Sequence, residues 1–432
     1  MGISSALYSG VSGLNTNSQA MSVIGNNLAN TNTIGFKGAR TVFADLLSGR
    51  INGSGGSSQV GRGVGMSKVD NQFSQGTFES TESGLDVAIE GEGFFLLKQP
   101  TDATIYYSRA GAFRFDESGN LVNPEGLRVQ GKGYDANGVL IAGDPTDIQV
   151  SNQGLIPGNV TSTMTLNTNL DASSPIIPAA TLFNYTDPTT FNYSSSTQIF
   201  DTLGNPHLLT TYFRKDAVVP NSWNWYWTAE DSTTPVANIL GQGLLPPAVN
   251  APAGTLAFDN NGILTAVPPV TATIPVASLP WANGSNSSDL VITFDTTQFN
   301  SDSVVISQNQ NGYGAGNLTG VNIDADGVVI ASYSNGEQTK IANLVLAKFG
   351  NRNGLELAGS NLYLETSSSG TPRTGLPGAE LGKVFTNSLE QSNVDMGAEF
   401  VKMITIQRGF QANSKIITTV DELLGELINL KR

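Results

Sequence analysis

The chain has 432 residues, of which 39% are hydrophobic and only 13% are charged, and its formal net charge is −14. This length predicts about two to four domains, and the acidic balance argues against a sequence-independent nucleic-acid binder and against docking on anionic lipid. The lack of cysteine excludes disulfides and thiolate metal sites. The sequence contains no run of about 18 apolar residues, so we expect no membrane insertion.

The first predicted element is an N-terminal helix with a seven-residue apolar repeat. Leu7, Leu14, Met21 and Leu28 fall seven apart, which places them on one narrow seam that must face another helix. Residues 1–36 contain no charged side chain, and their Ser, Asn and Gly are poor helix formers. We therefore expect a helix that folds on association, with a disordered tail as the alternative.

A glycine-rich connector is expected next, over residues 33–70. The stretch 48–65 is rich in glycine and poor in apolar residues, which is typical of a loop or flexible hinge. A plain surface loop is the alternative. The candidate hinge residues are Gly53, Gly55, Gly56, Gly61 and Gly63.

Short alternating apolar segments between residues 71 and 150 predict the strands of an inner β domain. A repeated Asp-x-x-Gly pattern predicts hairpin turns, in which the Asp accepts backbone hydrogen bonds and the Gly adopts a positive φ. This pattern begins at Asp116, Asp135, Asp201, Asp259 and Asp324.

Residues 151–300 change in composition and predict a separate outer β domain. They are rich in Pro, Thr, Ser and Asn, and they hold all four tryptophans. Trp223, Trp225 and Trp227 alternate along one strand, which favours the core of a β-sandwich or barrel. A carbohydrate- or protein-binding aromatic face is the alternative. Because the hairpin pattern returns over 301–370, we expect the outer domain to be inserted into an inner domain formed by 71–150 and 301–370.

The last predicted element is a C-terminal helix with its own heptad repeat, after a connector at 371–387. The repeat includes Met403, Phe410, Ile417 and Leu424. Residues 1–32 and 388–432 would form one helical coiled-coil domain. The predicted fold class is therefore mainly β with terminal α-helices: two nested antiparallel β domains plus this helical domain.

The sequence offers little for catalysis. His207 is the single histidine, and there is no cysteine, so a zinc site or a histidine-based triad lacks its residues. A phosphate-loop-like run at 126–132 lacks the following Ser or Thr, and a calcium-loop-like run at 322–327 lacks its bidentate Glu. We predict no enzyme, no catalytic residue, no metal and no cofactor.

The two ends of the chain resemble the signatures of bacterial flagellar rod and hook proteins. The matching segments are residues 5–14 (SALYSGVSGL), 26–37 (NNLANTNTIGFK), 387–396 (NSLEQSNVDM) and 407–415 (QRGFQANSK). Residues 91–95 and 107–113 extend the likeness into the β region. Rod proteins are short, whereas about 150 residues are inserted here, and FDTLGNPH at 200–207 is similar to the middle domain of hook proteins.

The resemblance implies a structural subunit of the flagellar hook. Such subunits polymerise into a flexible curved tube, a universal joint that carries motor torque from rod to filament. The implied partners are copies of the same chain, the distal rod protein, the hook–filament junction protein, the hook cap and the flagellar type III export apparatus. The implied location is the extracellular flagellum, reached without a cleaved signal peptide. A distal rod or junction protein, and a surface-displayed carbohydrate-binding module, are the alternatives.

Overall fold

The computed structural model describes residues 2–46, 49–53, 56–135, 138–150, 154–231, 238–240, 252–265, 270–274, 281, 283–286 and 289–429. The chain divides into two compact units. The first unit comprises residues 1–152, 321–331 and 339–432, and the second comprises 153–320 and 332–338. The second unit is thus inserted in the first. Its main segment ends at residue 320 rather than at the predicted residue 300, and it also includes residues 332–338.

Long helices form both ends of the chain, joined by a series of short strands. The helices are α1 (Gly2–Ala29) and α2 (Met396–Asn429). The first strands are β1 (Ala39–Asp45), β2 (Gly49–Gly53), β3 (Gly56–Val60), β4 (Val64–Asn71), β5 (Phe78–Ser80), β6 (Val87–Glu90), β7 (Phe94–Lys98), β8 (Ile105–Ser108), β9 (Arg114–Phe115), β10 (Leu121–Val122), β11 (Arg128–Gly133) and β12 (Thr146–Asp147).

The strands of the second unit follow, and the last strands return to the first. The next set is β13 (Leu155–Ile156), β14 (Thr163–Asp171), β15 (Tyr193–Phe200), β16 (Pro206–Lys215), β17 (Ser222–Asp231), β18 (Asn238–Leu240), β19 (Gly254–Ala257), β20 (Val270–Ile274), β21 (Leu290–Phe294), β22 (Thr297–Phe299) and β23 (Val304–Gln310). The last set is β24 (Gly316–Ile323), β25 (Val328–Tyr333), β26 (Gln338–Leu344), β27 (Leu346–Lys348), β28 (Glu356–Gly359), β29 (Leu362–Leu364), β30 (Arg373–Gly375), β31 (Lys383–Thr386) and β32 (Ser388–Glu390). Short 3-10 helices lie at Pro188–Thr190 and Arg352–Gly354.

The mainly β fold class with terminal helices is confirmed. In the first unit, β26, β11, β7, β8, β29 and β28 are hydrogen-bonded in that order. Val87, Phe95, Leu121, Val129 and Leu344 are among the fully buried side chains of its main core. A smaller aromatic cluster includes Phe94, Tyr107 and Tyr363.

The second unit is built from two sheets that share one core. One sheet has the order β20-β21-β14-β22 with β23 on the other side of β14, and the second has the order β15-β16-β17-β18 with β19 also on β17. The prediction of purely antiparallel domains is wrong here, because β14 pairs in parallel with both β21 and β22. Parallel partners need a long crossover, and the second sheet occupies most of the chain between β14 and β21.

The tryptophans belong to this core. Trp223, Trp225 and Trp227 are 0%, 2% and 9% exposed and pack with Phe213 and Phe294. The Nε1–H of Trp223 donates to Oε1 of Gln298 at 2.9 Å, so the polar edge of this indole is satisfied inside the core. The core interpretation is confirmed, and a surface aromatic face on this strand is excluded.

The Asp-x-x-Gly turns form as predicted. At Asp116, Asp201, Asp259 and Asp324, an Oδ1 atom accepts the backbone N–H groups two and four residues later. The glycines that end the repeats have φ between +72° and +80°, a region that favours glycine. Each turn closes at little steric cost.

Candidate assembly surface

The two ends of the chain meet as an antiparallel pair of helices. A Cβ on Gly10 would lie 3.2 Å from Cγ1 of Ile417, and Gly13 lies against Asn413. Farther along α1, Nδ2 of Asn27 donates to Oε2 of Glu399 at 3.2 Å. Residue numbers thus rise on α1 as they fall on α2, and the pairing of distant ends expected from the two heptads is present.

The buried line of α1 is made of small and polar residues rather than leucines. Its fully buried positions are Gly10, Gly13, Thr16, Ala20, Ile24 and Asn27. Glycines let two helix backbones approach closely, so the larger side chains are displaced to the flanks. The packing of α1 inside the subunit is therefore offset from the seam that the leucine spacing indicated.

The predicted seam residues lie at the sides of the helix pair. On α1, Leu7 is exposed, and Leu14, Met21 and Leu28 are half-buried. On α2, Met403 and Ile417 are half-buried, whereas Phe410 and Leu424 are exposed. The subunit alone leaves these side chains incompletely covered, and their role in assembly stays a prediction.

Further apolar side chains of both helices face solvent. They are Tyr8 and Val11 on α1, and Met396, Phe400, Val401, Ile404, Ile416, Leu423 and Ile428 on α2. Contiguous apolar surface of this kind marks sites of protein association. The helix pair is therefore a candidate association surface of the first unit.

A buried polar junction lies at the base of the helix pair, centred on Glu390. Its Oε1 atom accepts from Nζ of Lys37 at 2.6 Å, from Nε2 of Gln75 at 2.6 Å and from the backbone N–H of Gly76 at 2.9 Å. Its Oε2 atom lies 3.5 Å from Nη1 of Arg109. The side chains of Lys37 and Glu390 are 0% exposed, so this carboxylate links the segment after α1 to the segment before α2.

Arg109 anchors the junction to the β sheet. Its guanidinium donates to the carbonyl oxygens of Ile89 and Gly91 and lies 5.1 Å from the centre of the Phe94 ring. Burial lowers the pKa of Arg109, and the Glu390 carboxylate opposes this effect. Burial likewise lowers the pKa of the Lys37 ammonium against the attraction of Glu390. A buried cation without a paired anion is costly, so both depend on Glu390.

Two asparagines tie the helices to the neighbouring strands. Asn27 on α1 donates to the carbonyl of Ala39 at 2.7 Å and accepts from the Ala39 N–H at 2.9 Å. Asn393, just before α2, accepts from the N–H of Gly38 at 2.8 Å and donates to the Gln72 carbonyl at 2.6 Å. Each side-chain amide thus makes the kind of hydrogen bonds to the backbone that a neighbouring strand would make.

The glycine-rich stretch is partly ordered into strands. β2 pairs with β3 as an antiparallel hairpin, and β4 pairs with β1. Within the loop or hinge expected over 48–65, residues 49–53 and 56–60 therefore form a hairpin, and the role of this stretch as a hinge stays a prediction. Gly53 is the last residue of β2, Gly56 is the first residue of β3, and Gly55 lies outside the described residues.

The remaining two candidate hinge residues differ in their surroundings. Gly61 has no heavy atom near the place of a Cβ, whereas Gly63 has φ +104° and a Cβ there would lie 2.1 Å from Oγ of Ser12. Gly63 therefore packs closely against α1, whereas open space lies beside Gly61 where a side chain would be.

The polar junction was missed by reasoning from the sequence. Lys37 and Glu390 stood inside the recognised terminal segments, but nothing in their spacing showed that they meet across 353 residues. The one available signal was Lys37 itself, the first charge after 36 uncharged residues.

No helix in the described part of the chain combines the length and apolarity needed to cross a membrane.

Comparison with known families defines the class of this protein. Four family models match: "Flagella basal body rod protein" at residues 7–37, "Flagellar hook protein FlgE/F/G D1 domain" at 88–158, "Flagellar basal body protein FlaE D2 domain" at 169–313 and "Flagellar basal body rod FlgEFG protein C-terminal" at 386–430. The matches include most of both terminal helices, Lys37, Arg109 and Glu390 of the junction, and parts of both β units. They define a structural protein of the bacterial flagellum.

Curated relatives narrow the class. The chain is 35% identical to the flagellar hook protein FlgE of Salmonella typhimurium, over 98% of both chains. It is also 35% identical to the flagellar hook protein FlgE of Borreliella burgdorferi, over 99% of both chains. The solved Helicobacter pylori flagellar hook protein FlgE2 covers 72% of this chain with a TM-score of 0.49 at 14% identity. The chain belongs to the flagellar hook protein family.

Proposed function

We propose that the chain polymerises with itself into the flexible, curved tube of the flagellar hook, which transmits torque from rod to filament. The observation that carries this proposal is the incomplete burial of the helix pair. Leu7, Phe410 and Leu424 are exposed in the subunit, whereas the β cores are closed. Neighbouring copies would cover these side chains and complete the heptad seams.

Flexibility would come from the connector between α1 and the β sheet of the first unit. We propose the stretch around Gly53, Gly55, Gly56 and Gly61 as the hinge, because glycine permits wide backbone rotation. The close packing of Gly63 against α1 limits this hinge at its C-terminal end. Each subunit could then change length along the tube as the hook turns.

The proposed partners follow from a place between rod and filament. They are further copies of the chain, the distal rod protein, the hook–filament junction protein and the hook cap during growth. Export by the flagellar type III apparatus, without cleavage of a signal peptide, would deliver the subunit to the outside of the cell.

A pair of adjacent substitutions on α2 tests polymerisation through the helix pair. Phe410→Asp places a charge at an exposed seam position, and Gln411→Asp places the same charge one residue later, on an exposed polar position. We expect Phe410→Asp to abolish tube formation in negative-stain microscopy and Gln411→Asp to permit it. Curved tubes from the Phe410→Asp protein would overturn the proposed seam, and a wild-type chain that forms no tubes would overturn the proposed function.

A further inference from the structure

A groove of about 470 Å³ opens beside the helix pair where α1, α2 and β1 meet. Its lining includes Val23 and Ile24 of α1, Ala39 and Arg40 of β1, and Glu399, Val401, Lys402 and Ile406 of α2. The groove is thus apolar inside, with charged side chains at its rim. Val401 in this lining and Ile404, three residues later on α2, are exposed apolar side chains.

The exposed charges around this groove are positive. Arg40 and Lys402 line the groove with side chains that are 62% and 52% exposed, and Lys68, which shares the partner Asp70 with Arg40, is 60% exposed. Their partners Asp70 and Glu399 are only 12% and 7% exposed, so the carboxylates are largely withdrawn from the surface. An occupant of the groove should therefore combine apolar side chains with acidic ones.

The far end of α2 has this composition. Residues 416–429 contain Asp421, Glu422 and Glu426 and no Lys or Arg, although Lys431 and Arg432 follow beyond the described residues. Leu423 and Ile428 in the same segment are 54% and 67% exposed. Acidic residues near a helix C-terminus oppose the helix dipole, so helix stability does not explain them.

The acidic end of α2 cannot reach the groove of its own chain. Lys402 and Glu422 stand on one continuous helix, and 20 residues of helix separate them by about 30 Å. The occupant must be the α2 end of a second copy. Because the groove and the helix end are different surfaces, the contact is heterologous, and such a contact builds a helical filament when the rotation between copies does not close a ring.

We propose that the exposed α2 end (Asp421, Glu422, Leu423, Glu426 and Ile428) of one copy docks in the basic-rimmed groove of the next. This inference rests on the proposed polymerisation and assigns one of its contacts. Burial of Leu423 and Ile428 supplies the affinity, and the opposite charges select the direction of the contact. Each subunit thereby offers one groove and one α2 end to its neighbours along the polymer.

Charge reversal with complementary mixing tests the contact. Arg40→Glu and Glu422→Lys should each raise the critical concentration for polymerisation by about tenfold, because like charges then meet at the groove. The double variant should recover. An equimolar mixture of the two single variants should also recover, since each groove then meets an end of opposite charge. Polymer is measured by sedimentation and microscopy, and the fold of each soluble variant by circular dichroism.

The outcomes separate this inference from the proposed function. Normal assembly of both single variants overturns the contact, and so does impaired assembly that neither the double variant nor the mixture repairs. If Arg40→Glu does not fold, Lys68→Glu replaces it in the same scheme. Failure of the wild-type chain to polymerise would instead overturn the proposed function itself.

Discussion

At the scale of single residues, Glu390 holds the two termini together. It is fully buried and is the anionic partner of both Lys37 and Arg109. Replacing it with Gln keeps the shape but leaves two buried cations unpaired, so we expect a loss of about 3–5 kcal/mol in the free energy of unfolding. Urea unfolding followed by far-UV circular dichroism measures this loss.

Glu380→Gln is the matched control for this prediction. Glu380 is an exposed carboxylate, 3.8 Å from Arg373, with a side chain that is 76% exposed. Exposed ion pairs contribute little, so the control should unfold like wild type. Equal stability of the two variants would contradict the role assigned to the junction.

Asp201 makes the second unit sensitive to acid. Burial acts to raise the pKa of its carboxyl, but hydrogen bonds from Ser285, Asn283 and Asn205 outweigh burial and hold the pKa well below its usual range. Because the folded-state pKa lies below the unfolded value of about 3.9, the stability from Asp201 is present above that pH and is lost as pH falls below it.

Asp201→Asn should therefore weaken the dependence of the unfolding free energy on pH in the acidic range. We expect a loss of about 1–3 kcal/mol at pH 7, since donors that faced the carboxylate lose an acceptor, and a smaller difference from wild type near pH 3. Tryptophan fluorescence reports this unit alone, because all four tryptophans lie within it. Asp295→Asn, at an exposed carboxylate of the same unit, is the control and should keep the wild-type profile.

At the scale of elements, the helix pair depends on small residues where the backbones approach. Gly13 and Gly25 stand on the same helix, but a Cβ on Gly13 would lie 2.6 Å from Nδ2 of Asn413, whereas Gly25 has open space. Gly25→Ala should stabilise the helix by about 1 kcal/mol through helix propensity. Gly13→Ala should destabilise the pair, because the clash with Asn413 offsets that gain. Thermal melting of the helical signal compares them, and equal melting temperatures would refute close packing at Gly13.

The connector offers a second glycine comparison. Gly63→Ala introduces a Cβ at φ +104°, against Ser12, whereas Gly61→Ala meets no atom within 4 Å. A non-glycine residue held in such a conformation costs about 1–3 kcal/mol, so Gly63→Ala should expose β4 to proteolysis. Gly61→Ala should leave the digestion pattern unchanged. Identical patterns for both variants would show that the contact with α1 is dispensable.

At the scale of the whole molecule, assembly and folding should be separable. The β cores of both units consist of residues outside the helices, so deletion of residues 1–30 should leave a folded β protein that does not polymerise. Since α2 loses its antiparallel partner, the helical signal should fall by more than the 28 residues of α1. Analytical ultracentrifugation and circular dichroism measure both effects. Polymers formed by the truncated chain would refute the role of α1.

Local and periodic features could be predicted from the order of the residues alone. Heptads at both ends predicted helices that meet, the Asp-x-x-Gly repeats predicted turns, and alternating tryptophans predicted a buried strand, because each depends on neighbours within a few residues. The terminal segments were sufficient to indicate the family. The β2–β3 hairpin was not predicted, and the antiparallel prediction failed at the parallel pairs of β14, because backbone pairing decides both outcomes.

Which surfaces are used inside the subunit and which remain free depends on how distant segments of the chain pack together. The junction of Lys37, Arg109 and Glu390 unites residues that lie 281 and 353 positions apart. Likewise, the leucine seam of α1 lies at the side of the helix pair, because Gly10 and Gly13 allow α2 to approach more closely. A periodic pattern shows which side chains favour burial, but contacts between distant segments determine which partner buries them.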